Sequence, residues 1–278
     1  MPFSFTTWRL IKTIPARGAW NMAVDEAILY SAGRGESLPT LRLYAWEPAC
    51  LSLGYAQPAA DVDLAALARQ GWELVRRPTG GRAILHVDEL TYSVTGPQNE
   101  PRLAGSVLES YLTLSAALLQ ALIRLGVNAQ ASPKSATTPD PSAAGRTNPV
   151  CFEVPSNYEI TIAGKKLIGS AQARRKEGVL QHGSLPLVGD LRRITSVLAF
   201  PDEGARLHAA ERLVQRAATL EQALGAIVTW EEAAQAFVSA FQETLNLELQ
   251  PGEITPDEMQ RARLLFDKYA DPAWNKKQ

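Results

Sequence analysis

Cysteine and unbalanced charge are both scarce in this 278-residue sequence, and each scarcity excludes a class of protein. Its two cysteines, Cys50 and Cys151, are too few for a disulfide framework and lack the paired spacing of a zinc site. The formal net charge is −1, so electrostatics gives no argument for nucleic acid or an anionic membrane as a partner. We therefore expect no bound metal and no nucleic-acid partner.

Long apolar runs are missing as well. The first residues contain no apolar core of a signal peptide, and no stretch of about 18 apolar residues occurs. Hydrophobic residues make up 46% and charged residues 21% of the chain, which is ordinary for a globular protein. We expect a soluble cytoplasmic protein without membrane association, built as one large domain or one domain plus an extension.

The first third of the chain alternates short apolar runs with turn residues. An amphipathic helix is predicted to begin with Asn21 as its N-cap. After this helix we predict strands at 40–46, 50–55, 73–77, 83–86 and 90–94, and a helix at 63–70. Adjacent strands without regular strand–helix alternation favour an α+β sheet over a doubly wound one.

The rest of the chain has one long helix, a low-complexity loop, three strands and a helical end. The helix is predicted at 107–125 and the loop at 131–146. The strands are predicted at 158–162, 165–174 and 179–185, and the helical segments at 203–218, after Thr229 and from Pro256 to Tyr269. The last two helices are preceded by capping boxes.

The stretch 75–86, VRRPTGGRAILH, predicts a strand, a tight turn and a second strand. Pro78 favours an extended Arg77, and Gly80-Gly81 permits positive φ and lets a ligand lie against backbone N–H groups. The alternative is an ordinary hairpin with solvated arginines, because hairpin turns are rich in glycine.

The two cysteines differ in their surroundings. Cys50 lies in a short apolar run and is expected to be a packed core thiol. Cys151 follows the long loop and is bracketed by Pro149 and Pro155, and functional residues are often found on loops. The alternative for Cys151 is a half-buried small residue. In the strand at 179–185, Gly183 marks a close approach of a ligand or of backbone.

Four segments together resemble the lipoate-protein ligase and lipoyl octanoyltransferase family, a relative of biotin protein ligases. They are NMAVDE at 21–26, RRPTGGRAILH at 76–86, GKKLIGSAQ at 164–172 and QHGSL at 181–185, in the family's order. The resemblance implies a mixed or antiparallel central sheet flanked by helices. It also implies a catalytic domain at 1–200 with a helical C-terminal extension, 201–278, packed on it.

By this resemblance, an apolar tunnel holds a medium-chain acyl group with its carbonyl near the Gly80-Gly81 turn and near one lysine. The family pattern Gly-x-Lys-x-x-Gly assigns that lysine to Lys166. Cys151 matches the cysteine of the LipM-type octanoyltransferases, in which it precedes the lysine. A thiolate can accept an acyl group from a thioester without ATP, and a neighbouring ammonium lowers a thiol pKa. We therefore predict Cys151 and Lys166 as the catalytic pair.

Six further residues are predicted to bind the substrate. Backbone donors at the glycine turn and after Gly169 are candidates for holding the oxyanion. A structural role is the alternative for His86, and a solvated side chain is the alternative for Arg77. The predicted substrate-binding residues are Arg77, Gly80, Gly81, His86, Gly169 and Gly183.

The resemblance implies an octanoyltransferase that needs no cofactor. Octanoyl would move from acyl carrier protein to Cys151, and then to a specific lysine of a lipoyl domain or of the glycine-cleavage H protein. Three alternatives stay open: an ATP-dependent lipoate ligase, an amidotransferase between lipoyl domains, and a protein that only binds lipoyl domains. Arg82 stands where ligases usually have a third glycine, which favours the transferase branch.

Overall fold

The structure, a computed structural model, describes residues 3–133 and 158–277, with side chains described over 3–130 and 160–277. Within these ranges the chain forms an eight-stranded sheet, a three-stranded sheet and eight α-helices. The strands are β1 (Thr6–Lys12), β2 (Thr40–Tyr44), β3 (Cys50–Leu53), β4 (Glu73–Arg76), β5 (Ile84–His86), β6 (Glu89–Gly96), β7 (Gln130–Pro133), β8 (Tyr158–Ile162), β9 (Lys165–Arg175), β10 (Gly178–Pro186) and β11 (Leu247–Pro251). The helices are α1 (Gly18–Gly33), α2 (Leu64–Arg69), α3 (Val107–Arg124), α4 (Glu203–Arg216), α5 (Leu220–Leu224), α6 (Trp230–Leu245), α7 (Pro256–Ala270) and α8 (Pro272–Asn275).

The large sheet is mixed, with the strand order β11-β1-β2-β6-β10-β9-β8-β7. Strand β1 runs parallel to both of its neighbours, and the other pairs are antiparallel. The predicted α+β fold with a mixed central sheet is confirmed. Strands β1, β7 and β11 were not predicted from the sequence.

Alternation along β6 gives the large sheet one apolar and one polar face. Leu90, Tyr92 and Val94 pack into the main core with residues of α3 and α6. The intervening residues Thr91 and Ser93 are also buried, but they face polar groups on the other side of the sheet. The polar face is covered by α1 and the small sheet, and it is where the candidate site lies.

Helix α3 is long and apolar enough, by length and composition, to cross a membrane. In the fold its apolar face is part of the main core, through Leu114, Leu118 and Leu122. The capping boxes predicted for α6 and α7 are both present, with Thr229 paired to Glu232 and Thr255 to Glu258. Residues 201–278 supply five helices and β11, and the predicted domain boundary at residue 200 stays a prediction.

The start predicted for α1 is wrong. The helix begins at Gly18, and its N-cap Arg17 makes no side-chain cap hydrogen bond. Asn21 is buried inside the helix, where its amide donates to the carbonyls of Ala16 at 3.1 Å and Ala45 at 3.0 Å. The side chain that resembled a cap therefore satisfies two loop carbonyls instead.

The hairpin alternative for the stretch 75–86 is also wrong. Strands β4 and β5 do not pair with each other, because β3 lies between them, parallel to β4 and antiparallel to β5. Residues 77–82, which we call the glycine turn, cross over the end of β3. At the crossing, a Cβ on Gly54 would lie 1.9 Å from the carbonyl oxygen of Gly81, so the two backbones touch.

This contact predicts that alanine is tolerated less well at Gly54 than at Gly80. Gly54→Ala should lower the free energy of unfolding by about 1–3 kcal/mol, because the turn must move away from β3. Gly80→Ala should change it by no more than about 0.5 kcal/mol, since a Cβ there meets nothing within 4 Å. Urea unfolding of both variants tests this, and equal losses of stability would refute the contact.

Candidate active site

A small enclosed chamber lies between the polar face of the large sheet and the small sheet. It has a volume of about 20 Å³, room for about one water molecule, so an eight-carbon chain requires the lining to move. The apolar acyl tunnel implied by the family resemblance therefore stays a prediction. The chamber is lined by Met22, Tyr44, Trp46, Ser52, Arg77, Ile84, His86, Thr91, Gly169, Ser170, Ala171, His182, Gly183 and Ser184.

A larger groove of about 640 Å³ lies at the end of the sheet. It contains the exposed side chains of Ile14 and Ile227, and it is lined on one side by Trp46. Because Trp46 also lines the chamber, this indole separates the two spaces. It is fixed there by stacking on His86 at 3.9 Å between ring centroids and by donating to Thr91 at 2.7 Å.

His86 belongs to a buried network that also contains Glu89, Ser52 and Arg77, which we call the His86 network. Its Nδ1 lies 2.7 Å from Glu89 Oε1 and its Nε2 lies 2.7 Å from Ser52 Oγ. Arg77 Nη1 donates to Ser52 Oγ at 3.0 Å. Both ring nitrogens of His86 thus have protein partners, which is the arrangement expected of a structural histidine.

Arg77 carries the His86 network to the glycine turn. Its Nη2 donates to the carbonyls of Gly80 and Arg82, each at 2.8 Å. Arg76 and Arg77 are 0% and 2% exposed, so the alternative of solvated arginines is wrong. Arg77 therefore holds the backbone shape of the turn.

A second buried network reaches the turn from the other side. It consists of Arg42, Asp25, His182 and Thr79, and we call it the His182 network. Thr79 Oγ1 lies 2.6 Å from His182 Nε2, and His182 Nδ1 lies 3.6 Å from Asp25 Oδ2. Arg42 Nη1 donates to Asp25 Oδ1 at 2.8 Å.

Two titratable groups of the His182 network, His182 and Asp25, have shifted pKa values. Burial favours neutral forms, and it lowers the pKa of His182 although the Asp25 carboxylate acts against it. Burial alone would raise the pKa of Asp25, but the Arg42 charge and the hydrogen bonds to His182 and Arg42 hold it below its usual range. We infer a neutral His182 beside an ionised Asp25 near neutral pH.

Asp25 is a site residue that was not predicted from the sequence. It was included in a family segment but received no role. The sequence feature that could have identified it is an acidic residue among apolar residues of α1. Asp25 lies three positions after Met22, and Met22 lines the chamber. Such spacing places Asp25 and Met22 on one helix face. Because that face is buried, the Asp25 carboxylate needs a charged or hydrogen-bonding partner.

Lys166 is buried at the start of β9, at 3% exposure. A β-bulge inserts an extra residue there, because Ile160 pairs with Ile168 and the next residue, Thr161, pairs with Lys166. The consecutive residues Leu167 and Ile168 both join the main core, as the bulge requires. By strand alternation Lys166 therefore lies on the same face as Gly169, opposite the core face, but it is not among the residues that line the chamber.

The four predicted glycines differ in their surroundings, and Gly80 and Gly81 are not among the residues that line the chamber. Gly81 adopts φ 95°, a conformation that favours glycine. A Cβ at Gly183 would lie 2.5 Å from the carbonyl oxygen of Gly169, so its close approach is to backbone. Gly169 and Gly183 both line the chamber. The substrate-binding role of these glycines stays a prediction.

Of the two cysteines, Cys50 lies among the described residues and Cys151 does not. Cys50 is fully buried, as predicted, and burial raises the pKa of its thiol well above the ordinary value. Cys151 lies outside the described residues, so its distance from Lys166 is not described. The catalytic pair therefore stays a prediction, while Arg77, His86, Gly169 and Gly183 are brought together at one chamber.

The chain matches the lipoyl protein ligase A/B catalytic domain family over residues 17–242. The octanoyltransferase LipM of Kyrpidia tusciae is 42% identical over 274 residues, which cover 97% of this chain and 98% of the relative. The octanoyltransferase LipM of Staphylococcus epidermidis is 37% identical over 269 residues, 96% and 97% of the two chains.

Solved structures agree with the fold. A bipartite lipoate protein ligase of Thermoplasma acidophilum, described with its E2 lipoyl domain, superposes with a TM-score of 0.79 at 29% identity. That match covers 98% of this chain and 96% of the other. A lipoate-protein ligase A bound with ATP gives a TM-score of 0.78 at 28% identity, over 97% and 98% of the two chains.

The lowered pKa of His182 predicts a specific pH dependence of stability. Below pH of about 6.5 the unfolded chain binds a proton that native His182 does not, so the free energy of unfolding falls. This contribution has a slope of up to about 1.4 kcal/mol per pH unit. His182→Gln should remove it, giving a flatter profile between about pH 7 and 5.

The exposed His208 provides the matched control. His208→Gln should leave the wild-type slope unchanged. Denaturant unfolding at several pH values measures all three proteins, and equal slopes for wild type and His182→Gln would contradict the assignment.

Proposed function

Because the chain belongs to the lipoyl protein ligase A/B catalytic domain family, we propose that it is an octanoyltransferase of protein lipoylation that uses Cys151 as an acyl relay. The observation that carries this proposal is the likeness to octanoyltransferases over nearly the whole chain, at 37–42% identity. We further propose acyl carrier protein as donor, a lysine of a lipoyl domain or of the H protein as acceptor, and a cytoplasmic location.

In the first step, the Cys151 thiolate attacks the carbonyl carbon of the octanoyl thioester. A new S–C bond forms, the donor's C–S bond breaks, and the donor leaves as a thiol after taking up a proton. The Lys166 ammonium would favour the thiolate before attack and the oxyanion during it. Burial of Lys166 on the same face as Gly169 is the feature that supports this role.

In the second step, the neutral ε-amine of the acceptor lysine attacks the octanoyl-cysteine. An N–C bond forms and the S–C bond breaks, so Cys151 is regenerated as the amine proton is lost. Each tetrahedral intermediate carries an oxyanion. Backbone N–H groups of the glycine turn would hold that oxyanion, and one such donor accounts for about 3–4 kcal/mol in enzymes of known mechanism.

The shape of the glycine turn supports its use as an oxyanion site. Donors stabilise a transition state best when they are fixed before the reaction begins. Arg77 fixes the carbonyls of Gly80 and Arg82, and Thr79 is fixed by His182. The turn therefore does not need to reorganise when charge develops on the substrate.

Cys50 cannot serve in place of Cys151. A thiolate is the reactive form of cysteine, and burial raises the pKa of Cys50 well above its ordinary value. Its sulfur is also packed beneath α1, where a Cβ on Gly18 would lie 2.4 Å away. The second cysteine is therefore an internal control for the relay.

An ATP-dependent lipoate ligase is the second candidate. It is favoured by the superposition on a lipoate-protein ligase A bound with ATP at 28% identity. The curated octanoyltransferases are more similar, at 37–42% identity, and therefore favour the transferase. A ligase would need ATP and free acid, and it would not need Cys151. An amidotransferase between lipoyl domains would need an octanoylated protein as its donor.

The relay predicts a covalent intermediate on one cysteine only. Wild-type protein mixed with octanoyl acyl carrier protein, without ATP, should gain an octanoyl group that hydroxylamine removes and that passes to apo H protein. Cys151→Ser should not pass the group on, because a serine ester transfers poorly to an amine. Intact-protein mass spectrometry measures both.

Cys50→Ser is the control and should still carry the octanoyl group. No adduct on wild type, together with acceptor modification only after ATP and free octanoate or lipoate are added, would establish the ligase instead. An adduct formed only from an octanoylated lipoyl domain would establish the amidotransferase.

A further inference from the structure

A cleft of about 450 Å³, which we call the basic cleft, opens beside the glycine turn, separate from the chamber and the groove. Its walls come from β9, the glycine turn, the residue after Gly54, α7 and α8. Every charged residue that lines it is a cation. The lining residues are Tyr55, Pro78, Ala173, Arg174, Arg175, Lys268 and Trp274.

The positive charge of this basic cleft is only partly neutralised. Glu26 accepts from Lys268 Nζ at 2.7 Å and lies 3.3 Å from Arg175 Nη1, and the Lys268 and Arg175 side chains each remain 29% exposed. The Arg174 side chain points to the other face of β9, where it donates to the Ser110 hydroxyl of α3 at 2.8 Å and faces the Glu109 carboxylate. Arg175 and Lys268 around the single Glu26 carboxylate leave an excess of positive charge in a protein whose net charge is −1.

A third cation, Lys277, and two aromatic rings extend the basic cleft. Lys277 Nζ lies 3.7 Å from the ring centroid of Tyr55 and 4.0 Å from that of Trp274. Tyr55 is 47% exposed, which is high for a ring that packs against other side chains. The rim is thus built from a lysine stacked on two aromatic rings, and Tyr and Trp are residue types enriched at protein interfaces.

The C-terminal wall of the cleft is fixed in place by buried Arg76. The guanidinium donates to the carbonyls of Trp274 at 3.2 Å, Asn275 at 3.0 Å and Lys277 at 3.0 Å. The backbone N–H of Arg76 also donates to Asn275 Oδ1 at 2.7 Å. The cleft is therefore preorganised, which reduces the entropy lost when a partner binds.

The cleft and the chamber adjoin each other along two segments of chain. On β9, Ala171 lines the chamber and Ala173 lines the cleft, about 7 Å further along the same face. At the start of the glycine turn, Arg77 lines the chamber and Pro78 lines the cleft. A partner seated in the cleft would therefore sit next to the glycine turn.

We propose that the basic cleft is the docking site of the acidic carrier protein that delivers the acyl group. The cleft would take the carrier's surface carboxylates or the phosphodiester of its prosthetic arm. This inference rests on the proposed function for the identity of the carrier. Charge complementarity of this kind mainly raises the association rate and the salt dependence of binding.

Binding is measured separately from catalysis, so that the two proposals can fail separately. The dissociation constant of acyl carrier protein is measured by fluorescence anisotropy at low and high salt, for wild type, Lys268→Glu and Lys277→Glu. Lys268→Glu removes an ion pair with Glu26, whereas Lys277 lies at the rim, so Lys277→Glu tests the cleft even where Lys268→Glu unfolds. Arg263→Glu, on the exposed side of α7, is the control with the same change of charge.

Each cleft variant should weaken binding at low salt by about tenfold, and the difference should shrink at high salt. Arg263→Glu should bind as wild type does. Carrier protein with and without its phosphopantetheine arm separates the two anion sources. If binding is lost when the arm is removed, the cleft holds the phosphodiester. If binding is retained without the arm, the cleft holds the carrier's carboxylates. Wild-type affinity in both cleft variants, or no carrier binding to wild type, overturns the proposal.

Steady-state kinetics completes the test. With octanoyl acyl carrier protein, Lys277→Glu should raise KM about tenfold with kcat within about twofold of wild type. With octanoyl-pantetheine, which has neither protein nor phosphate, KM should be unchanged. An equal rise for both donors would place the effect in the chamber and contradict docking. Carrier binding without any octanoyl transfer would refute the proposed function while supporting the cleft.

Discussion

The buried carboxylate of Asp25 is the interaction on which the site depends. It is 0% exposed and accepts hydrogen bonds from Arg42, Tyr44 and Ser93, each at 2.8 Å. These contacts join α1 to β2 and β6, and His182 links them to the glycine turn. Removing one partner of such a buried pair typically costs about 3–5 kcal/mol, because the other charge is left without compensation. The carboxylate thus fixes the position of α1 over the polar face of the sheet.

Two buried networks converge on the glycine turn from opposite sides. The His86 network reaches it through Arg77, and the His182 network reaches it through Thr79. Neither histidine needs to exchange a proton with the substrate for this arrangement to matter, since each acts by fixing a neighbour. In the proposed reaction, the turn supplies backbone donors whose positions are set before substrate binds. The catalytic groups proper would then be Cys151 and Lys166.

The sequence was informative where the signal was local. Capping boxes, periodic apolar residues and turn residues located most of the helices and strands, and the family segments located the chamber. The failures involve long-range structure. The hairpin alternative for strands β4 and β5 arose because they are close in sequence, but β3 lies between them. The bulge that places Lys166 on the same face as Gly169 depends on pairing with β8, and strand β11 pairs with β1 across most of the chain. Burial of Asp25 likewise depends on which face of α1 meets the sheet.

We propose that the chamber beneath the glycine turn holds the acyl group. A crystal structure of the protein octanoylated on Cys151 tests it most directly. We expect the octanoyl chain in a widened chamber against Met22 and His182, with its carbonyl oxygen about 3 Å from a backbone N–H of the glycine turn. An octanoyl chain lying instead in the groove beyond Trp46, against Ile14 and Ile227, would contradict this assignment of the acyl site.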